Sequence, residues 1–150
     1  MPETPEMPEI NNKKILLVAA CALVDSDNRI LLAQRPPGKA MAGLWEFPGG
    51  KVENGETPEA ALVRELEEEL GVVATIACLA PLTFASHTYE SFHLLMPLYI
   101  CRRYEAPPGL GLALGREGQA LKWVAAKDLR KFDMPAADIP LIPHLQELLG

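Results

Sequence analysis

The apolar residues of this chain fall into runs, and the runs differ in kind. Ile15-Leu16-Leu17-Val18-Ala19-Ala20-Cys21-Ala22-Leu23-Val24 is apolar at every position, which predicts a strand buried on both faces. Asp25-Ser26-Asp27-Asn28 has turn composition. Arg29-Ile30-Leu31-Leu32-Ala33-Gln34-Arg35 is expected to return as the hairpin partner of the first strand. Pro36-Pro37-Gly38 ends it, and residues 44–53 read as short extended pieces around the Gly49-Gly50 step.

The clearest helix follows. Thr57 is a good N-cap, Pro58 suits the first helical position and Gly71 closes the C-terminus. Apolar stretches at about 72–84 and 92–101 predict two strands, and Pro97 inside the second predicts an edge or a bulge. Pro107-Pro108-Gly109-Leu110-Gly111 is a loop, Ala120 to Val124 a short strand, and residues 139–149 a terminal amphipathic helix. Strands mixed with a central and a terminal helix imply an α/β sandwich on a mixed sheet.

Composition narrows the class. The chain has 150 residues, 49% hydrophobic and 23% charged, enough for one domain with one core and no disulfide staple. Residues 1–12, rich in Pro and Glu, are expected to be a disordered tail and 13–150 the domain. The charges are 14 Lys and Arg against 20 Asp and Glu, a net −6. That balance argues against gripping a nucleic-acid polymer. Small phosphorylated ligands stay open, because a bound cation can supply positive charge locally. No run approaches the roughly 18 residues of a membrane span. The first residues lack the basic start and apolar stretch of a secretory leader, and Cys21, Cys78 and Cys101 sit apart in apolar runs as buried thiols. The expectation is a cytoplasmic protein, monomer or homodimer.

Candidate chemistry concentrates in the helix. Seven of the 20 acidic residues lie between positions 53 and 69. At about 100° per residue, Leu62, Val63, Leu66 and Leu70 share a core-facing arc. Glu65, Glu68 and Glu69 fall on the adjacent arc, expected to converge on one patch, while Glu67 points to water. Like charges three and four apart each cost roughly 0.2–0.5 kcal/mol, at the end of a helix where the dipole favours cations. Two readings follow from the spacing alone. One is a solvated acidic face; the other is a site for a hard cation, Mg²⁺ or Mn²⁺, completed by a backbone oxygen of the Gly-Gly step. Arg64 would then orient the carboxylates, or form an ordinary surface pair with Glu68.

From Gly50 to Val72 the spacing is Gly50, five residues, Glu56, seven residues, Arg64-Glu65-Leu66, Glu67, Glu68-Glu69, Leu70, Gly71-Val72. This stretch resembles the Nudix box at every fixed position of that signature. Leu44-Trp45-Glu46-Phe47-Pro48-Gly49-Gly50-Lys51, Glu117-Gly118-Gln119 and Asp133-Met134-Pro135-Ala136-Ala137-Asp138-Ile139-Pro140 resemble, in turn, the segment before the box, the later acidic loop and the base-recognition segment of MutT-type members. The resemblance implies a Nudix α/β/α sandwich with a mixed β-sheet. It also implies a hydrolase that splits a nucleoside triphosphate into monophosphate and pyrophosphate. The Gly49 carbonyl, Glu65, Glu68 and Glu69 would bind the divalent metal, Glu117 would be a further ligand or a base, and Glu56 and Arg64 would brace the helix. Arg35 would meet the phosphates, Phe47 and Asp138 would border the base, and Lys51 joins the substrate-binding set. These roles suit phosphoryl transfer, which needs neutralised phosphate oxygens and an aligned water. Glu69 or Glu117 can take that water's proton.

The preferred base turns on Asp138. MutT-type members that prefer 8-oxo-dGTP carry Asn there, a donor and an acceptor. An ionised Asp only accepts, which suits the exocyclic amine of cytosine and the branch acting on CTP and dCTP. Burial could protonate Asp138 and restore the donor; as a third reading, it N-caps the terminal helix. The leading expectation is an 8-oxo-dGTP diphosphatase that sanitises the nucleotide pool for DNA replication and repair. The CTP/dCTP type is the alternative, and a nucleotide sensor without catalysis a further one. His87, His93 and His144 read as structural or surface residues. Trp45 either stacks on a base or packs in the core, Trp123 packs in the core, and the Tyr104–Gly115 loop would alter access or pair subunits. Glu68→Gln is expected to lower kcat by at least about 10²–10³-fold with the fold intact. Steady-state kinetics with a far-UV spectrum checks this, and near-wild-type turnover would remove the argument from the helix.

Overall fold

The computed structural model describes residues 13–150; the tail expected at 1–12 lies outside the described residues. Its strands are β1 (Lys14–Leu23), β2 (Arg29–Gln34), β3 (Trp45–Glu46), β4 (Gly49–Lys51), β5 (Leu79–Thr88), β6 (Phe92–Cys101) and β7 (Ala120–Ala125). The helices are α1 (Pro58–Leu70) and α2 (Ile142–Leu149), the latter preceded by a 3₁₀ turn at Ile139–Leu141. Two sheets form, β4-β1-β6-β5 and β3-β2-β7. The first is mixed, because β1 runs parallel to β6 and antiparallel to β4.

Helix α1 forms as its capping residues dictate. The Thr57 hydroxyl accepts from the Ala60 amide, Pro58 opens the helix, and Gly71 at φ 71° ends it. Leu62, Leu66 and Leu70 bury against Ala19, Cys21, Leu23 and Tyr99 of the four-stranded sheet. The alternate residues Ala20 and Ala22 face a second core with Leu98, Leu129, Leu141 and Leu145. Both faces of β1 are therefore covered over Ala19–Leu23, giving the α/β/α layering.

Four expectations are corrected. Strands β1 and β2 do not form a hairpin ladder: one antiparallel bridge, Val24 to Ile30, joins them before β2 crosses into the other sheet to pair with β3 and β7. The tight Asp25 turn, with its carboxylate accepting from Asp27 and Arg29 amides, turns the chain out of the first sheet. Secondly, the first half of β1 is not buried on both faces; Ile15 is 70% exposed, because α1 does not reach that end. Thirdly, residues 72–78 form no strand. Val73 bridges Glu105, Ile76–Cys78 is a 3₁₀ turn, and β5 starts at Leu79 and continues through polar residues to Thr88, its outer edge being solvated. Fourthly, Pro97 lies in β6, an interior strand. The ladder with β1 passes from Leu17–Leu95 to Ala20–Leu98, skipping the pair that would need an amide at Pro97. The register shift falls on the neighbour instead, between Pro81 and Thr83.

The three cysteines are free, Cys21 and Cys101 buried and Cys78 half-buried. Among the described residues no helix is long and apolar enough to cross a membrane. Leu66 has no exposed surface at the α1–sheet contact, so Leu66→Ala should destabilise the domain by about 2–5 kcal/mol. Urea denaturation measures this, and a loss under 1 kcal/mol would mean that α1 repacks freely.

Candidate active site

The Gly49-Gly50 step is required by two separate close approaches. A Cβ on Gly49 would collide with the Ala19 carbonyl oxygen of β1, and one on Gly50 with the Glu65 carboxyl. Two glycines therefore let β4 press against β1 while α1 lays Glu65 over it. Gly49, Gly50, Glu65 and Glu69 thereby line one cavity.

Arg64 organises the acidic side chains from behind. Its Nε and Nη2 bond both oxygens of Glu56 at 2.8 and 2.9 Å. Its Nη1 reaches Glu65 at 2.9 Å and Glu68 at 3.3 Å, and Nη2 donates to the Lys51 carbonyl at 3.2 Å. Glu56 also accepts from the Glu53 amide. The Arg64 guanidinium, followed by that amide, holds the Glu56 carboxyl down at about 2.

In front of the helix lies a cavity of about 200 Å³ lined by Glu65, Glu69, Glu117, Glu46, Gly49, Gly50, Arg35 and Lys39 among others. Burial, followed by repulsion from Glu65, Glu117 and Glu46, pushes Glu69 up to about 9. A buried carboxyl crowded by other carboxylates belongs to a donor set suited to a hard cation. Among the described residues no three acidic, His or Cys side chains yet close on a single point. The expected convergence of Glu65, Glu68 and Glu69 holds for the first and last only. Glu68, with a side chain 56% exposed, turns to Arg64 at i,i+4 and stays out of the cavity lining; the attraction of the guanidinium outweighs joining a crowded acidic wall. Glu67 is exposed, as its arc requires.

A second, apolar cavity of about 360 Å³ adjoins the first. Leu16, Val18, Phe47, Phe92, Leu94 and Met96 are among its lining residues, with Lys51 at its edge and Asp138 in its wall. Arg35, Glu46, Gly49 and Gly50 line both cavities. Glu46 is a cavity residue that sequence reasoning missed, though an acid between Trp45 and Phe47 was the available signal. It is ion-paired to Arg35 at 2.7 Å, and Arg35 also donates to the Ala40 carbonyl. Burial raises the Glu46 carboxyl and Arg35 opposes it.

Asp138 is 5% exposed. It sits at the start of the Ile139–Leu141 turn but makes no side-chain cap bond, so the N-cap reading is set aside. Burial and then Glu46 push its carboxyl up to about 7, against the opposing influence of the Phe47 backbone and Arg35. Phe47 itself is buried in the cavity wall. Trp45 packs edge-on against Phe132 at 5.6 Å, the core alternative. Trp123 is half-buried within β7, and its Nε1 pins the Leu110 carbonyl of the Tyr104–Gly115 loop. His93 bonds Ser86 and Thr88, His87 packs on Tyr89, and His144 is exposed on α2.

The carboxylate helix and the glycine strand of this α/β/α sandwich thus face one cavity beside an apolar one. Sequence comparison supplies the class: the NUDIX domain profile matches residues 19–144, and the chain belongs to the Nudix family of hydrolases acting on phosphoric anhydrides. It is 42% identical over 136 residues to the 8-oxo-dGTP diphosphatase of Haemophilus influenzae, covering 89% of this chain and 93% of that one. It is 39% identical over 133 residues to the CTP pyrophosphohydrolase of Escherichia coli, with the same coverage of each. The solved Escherichia coli ORF135 protein superposes with a TM-score of 0.77 at 33% identity, covering 94% of this chain and 95% of that one. A MutT structure from work on Aliivibrio salmonicida and Vibrio cholerae gives 0.73 at 34%, covering 90% and 99%.

Arg64→Lys cannot keep the bidentate grip on Glu56 while reaching Glu65 and Glu68. It should weaken Mn²⁺ binding by about 10–100-fold. Titration calorimetry reads this directly, and unchanged affinity would show that Arg64 braces the fold alone.

Proposed function

We propose that this hydrolase is a divalent-metal-dependent nucleoside triphosphate pyrophosphohydrolase, releasing monophosphate and pyrophosphate, with 8-oxo-dGTP as its preferred substrate. The observation that carries the reading is the pair of adjoining cavities, one apolar with a single buried carboxyl and one lined by carboxylates. They match in order the base and the polyphosphate of a nucleotide.

Glu65, Glu69, Glu117 and the Gly49 carbonyl would hold Mg²⁺ or Mn²⁺, and Glu68 would join them by releasing Arg64. Bound there, such a cation neutralises phosphate oxygens and acidifies the attacking water. Arg35 stands on the wall between the cavities, where the phosphate nearest the nucleoside passes, and Lys51 and Lys39 add positive charge at the two mouths. Glu69 or Glu117 receives the proton of the attacking water. Glu56 and Arg64 hold the helix carboxylates in place throughout. Phe47 and the apolar lining exclude water from the base.

Asp138 reads the base edge. Its carboxyl, when protonated, donates to O6 of 8-oxoguanine. With its carboxyl near 7, the protonated form is present at neutral pH. The second reading, a cytosine nucleotide, is favoured by the ionised form, which accepts from N4. The relative named CTP pyrophosphohydrolase supports it. Under the first reading the enzyme cleanses the nucleotide pool ahead of DNA replication, in the cytoplasm.

The test is turnover with Mg²⁺ on 8-oxo-dGTP, dGTP, dCTP, 5-methyl-dCTP and CTP, for wild type and Asp138→Asn across pH 5.5 to about 8.5, a window around the carboxyl's value of about 7. A raised carboxyl is protonated below its pKa and loses its donor above it. The wild-type to Asp138→Asn ratio of kcat/KM for 8-oxo-dGTP should therefore fall as pH rises through about 7. For a cytosine nucleotide read by the ionised form, the ratio should rise through the same window. A higher kcat/KM for dCTP or CTP than for 8-oxo-dGTP overturns the first reading, and no turnover on any substrate, with metal bound, overturns both.

A further inference from the structure

Helix α1 ends in Glu67-Glu68-Glu69-Leu70, with no basic residue in its last turn. Its final carbonyls and the negative end of its dipole need donors from elsewhere. The segment Gly115–Gln119 supplies them. The Arg116 amide donates to the Glu69 carbonyl at 2.9 Å and its Nη1 to the Glu67 carbonyl at 3.1 Å. The Gln119 Nε2 also donates to the Glu69 carbonyl, at 3.4 Å, while its Oε1 accepts from the Glu117 amide at 3.0 Å.

Gln119 is 6% exposed, and the buried polar or charged residues among those described are Gln119 and Asp138. Burying an amide is unfavourable unless both ends are bonded, and here both ends are bonded to site segments. The turn is shaped around it. A Cβ on Gly115 would collide with the Gln119 amide, and Gly118 takes a positive φ of 79°. Gly115 and Gln119 pair through their backbones, and the Gly118 amide closes the turn on the Gly115 carbonyl. Glu117 is the exposed tip and lines the acidic cavity with Glu65 and Glu69.

We propose that Gln119 is a positioning residue: it ties the backbone of Glu117 to the end of α1 and so presents the Glu117 carboxylate to the cavity that Glu65 and Glu69 form. A buried amide bonded at both ends favours one loop arrangement where an apolar side chain of the same size would only fill space. The inference rests on the proposed role of Glu117 in hydrolysis, and the experiment separates the two.

Gln119→Met keeps length and volume and removes both hydrogen bonds; Gln119→Ala serves if the methionine variant does not fold. In the metal-free protein, amide hydrogen exchange should show the Glu117 amide losing protection in the variant while the amides of α1 keep theirs. With Mg²⁺ and the best substrate of the panel, kcat should fall about 10–100-fold with KM little changed. In the Glu117→Gln background the same substitution should have almost no further effect, because the group it positions is gone. Wild-type turnover in Gln119→Met, an unprotected Glu117 amide in the wild type, or effects that multiply in the double variant would overturn the positioning role. Wild-type turnover in Glu117→Gln would instead overturn the role of Glu117, and the inference with it.

Discussion

Five hydrogen bonds converge on the Arg64 guanidinium, and the acidic site depends on them. A helix carrying Glu65, Glu67, Glu68 and Glu69 with no cation in its last turn works against its own dipole. Arg64 offsets this from inside the helix, and its bidentate bond to Glu56 anchors it to the loop before Thr57. The carboxylates are thereby held with their charge partly balanced on the back face. On the face toward the cavity, Glu69 is buried and crowded by Glu65, Glu117 and Glu46, which is the electrostatic condition for holding a cation. A lysine would supply the charge without the fork, so geometry rather than net charge is what Arg64 contributes.

That helix would be an isolated acidic surface without β1. Because β1 is covered on both faces over Ala19–Leu23, α1 lies on one side of it and the apolar cavity opens on the other. Strand β4 pairs with β1 through Gly49 and Gly50 and belongs to both cavities. Each glycine is fixed by a different neighbour, the Ala19 carbonyl and the Glu65 carboxyl. The Arg35–Glu46 ion pair completes the shared wall. The two cavities thus meet along β4 and this ion pair, the acidic one under α1 and the apolar one against β1.

What was legible in the sequence was local. Thr57, Pro58 and Gly71 mark the ends of α1, and the spacing of Leu62, Leu66 and Leu70 marks its buried face, because a helix makes its hydrogen bonds within four residues. Family resemblance supplied the candidate site residues, and the structure brings Glu65, Glu69, Glu117, Gly49 and Arg35 to one cavity. What was not legible was non-local. No periodicity tells whether Arg29–Gln34 pairs with the strand before it or crosses to a second sheet, and Pro97 signals a missing amide without saying which neighbour does without it. The rotamer of Glu68 was equally hidden, since its arc on the wheel allows both the cavity and Arg64. Gln119 was passed over because its two partners, the Glu69 carbonyl and the Glu117 amide, are backbone groups that leave no trace in residue type.

Asp138 shows how site and stability pull apart. Its carboxyl sits in an apolar wall with another carboxylate, Glu46, nearby, and only the Phe47 amide and Arg35 favour its charge. With a folded value of about 7 against 3.8 for the free side chain, the native state holds a proton that the unfolded chain releases. The sign follows: stability falls as pH rises from about 4 to about 7, and above that the full unfavourable burial of the charge remains. Asparagine would occupy this position without that penalty. A carboxyl kept here gives up stability at neutral pH and keeps a group able to donate in one protonation state and accept in the other. Burial sets most of that shift, the charge of Glu46 adds to it, and Arg35 opposes it. The ion pair dividing the two cavities therefore also acts on the buried carboxyl in the apolar wall.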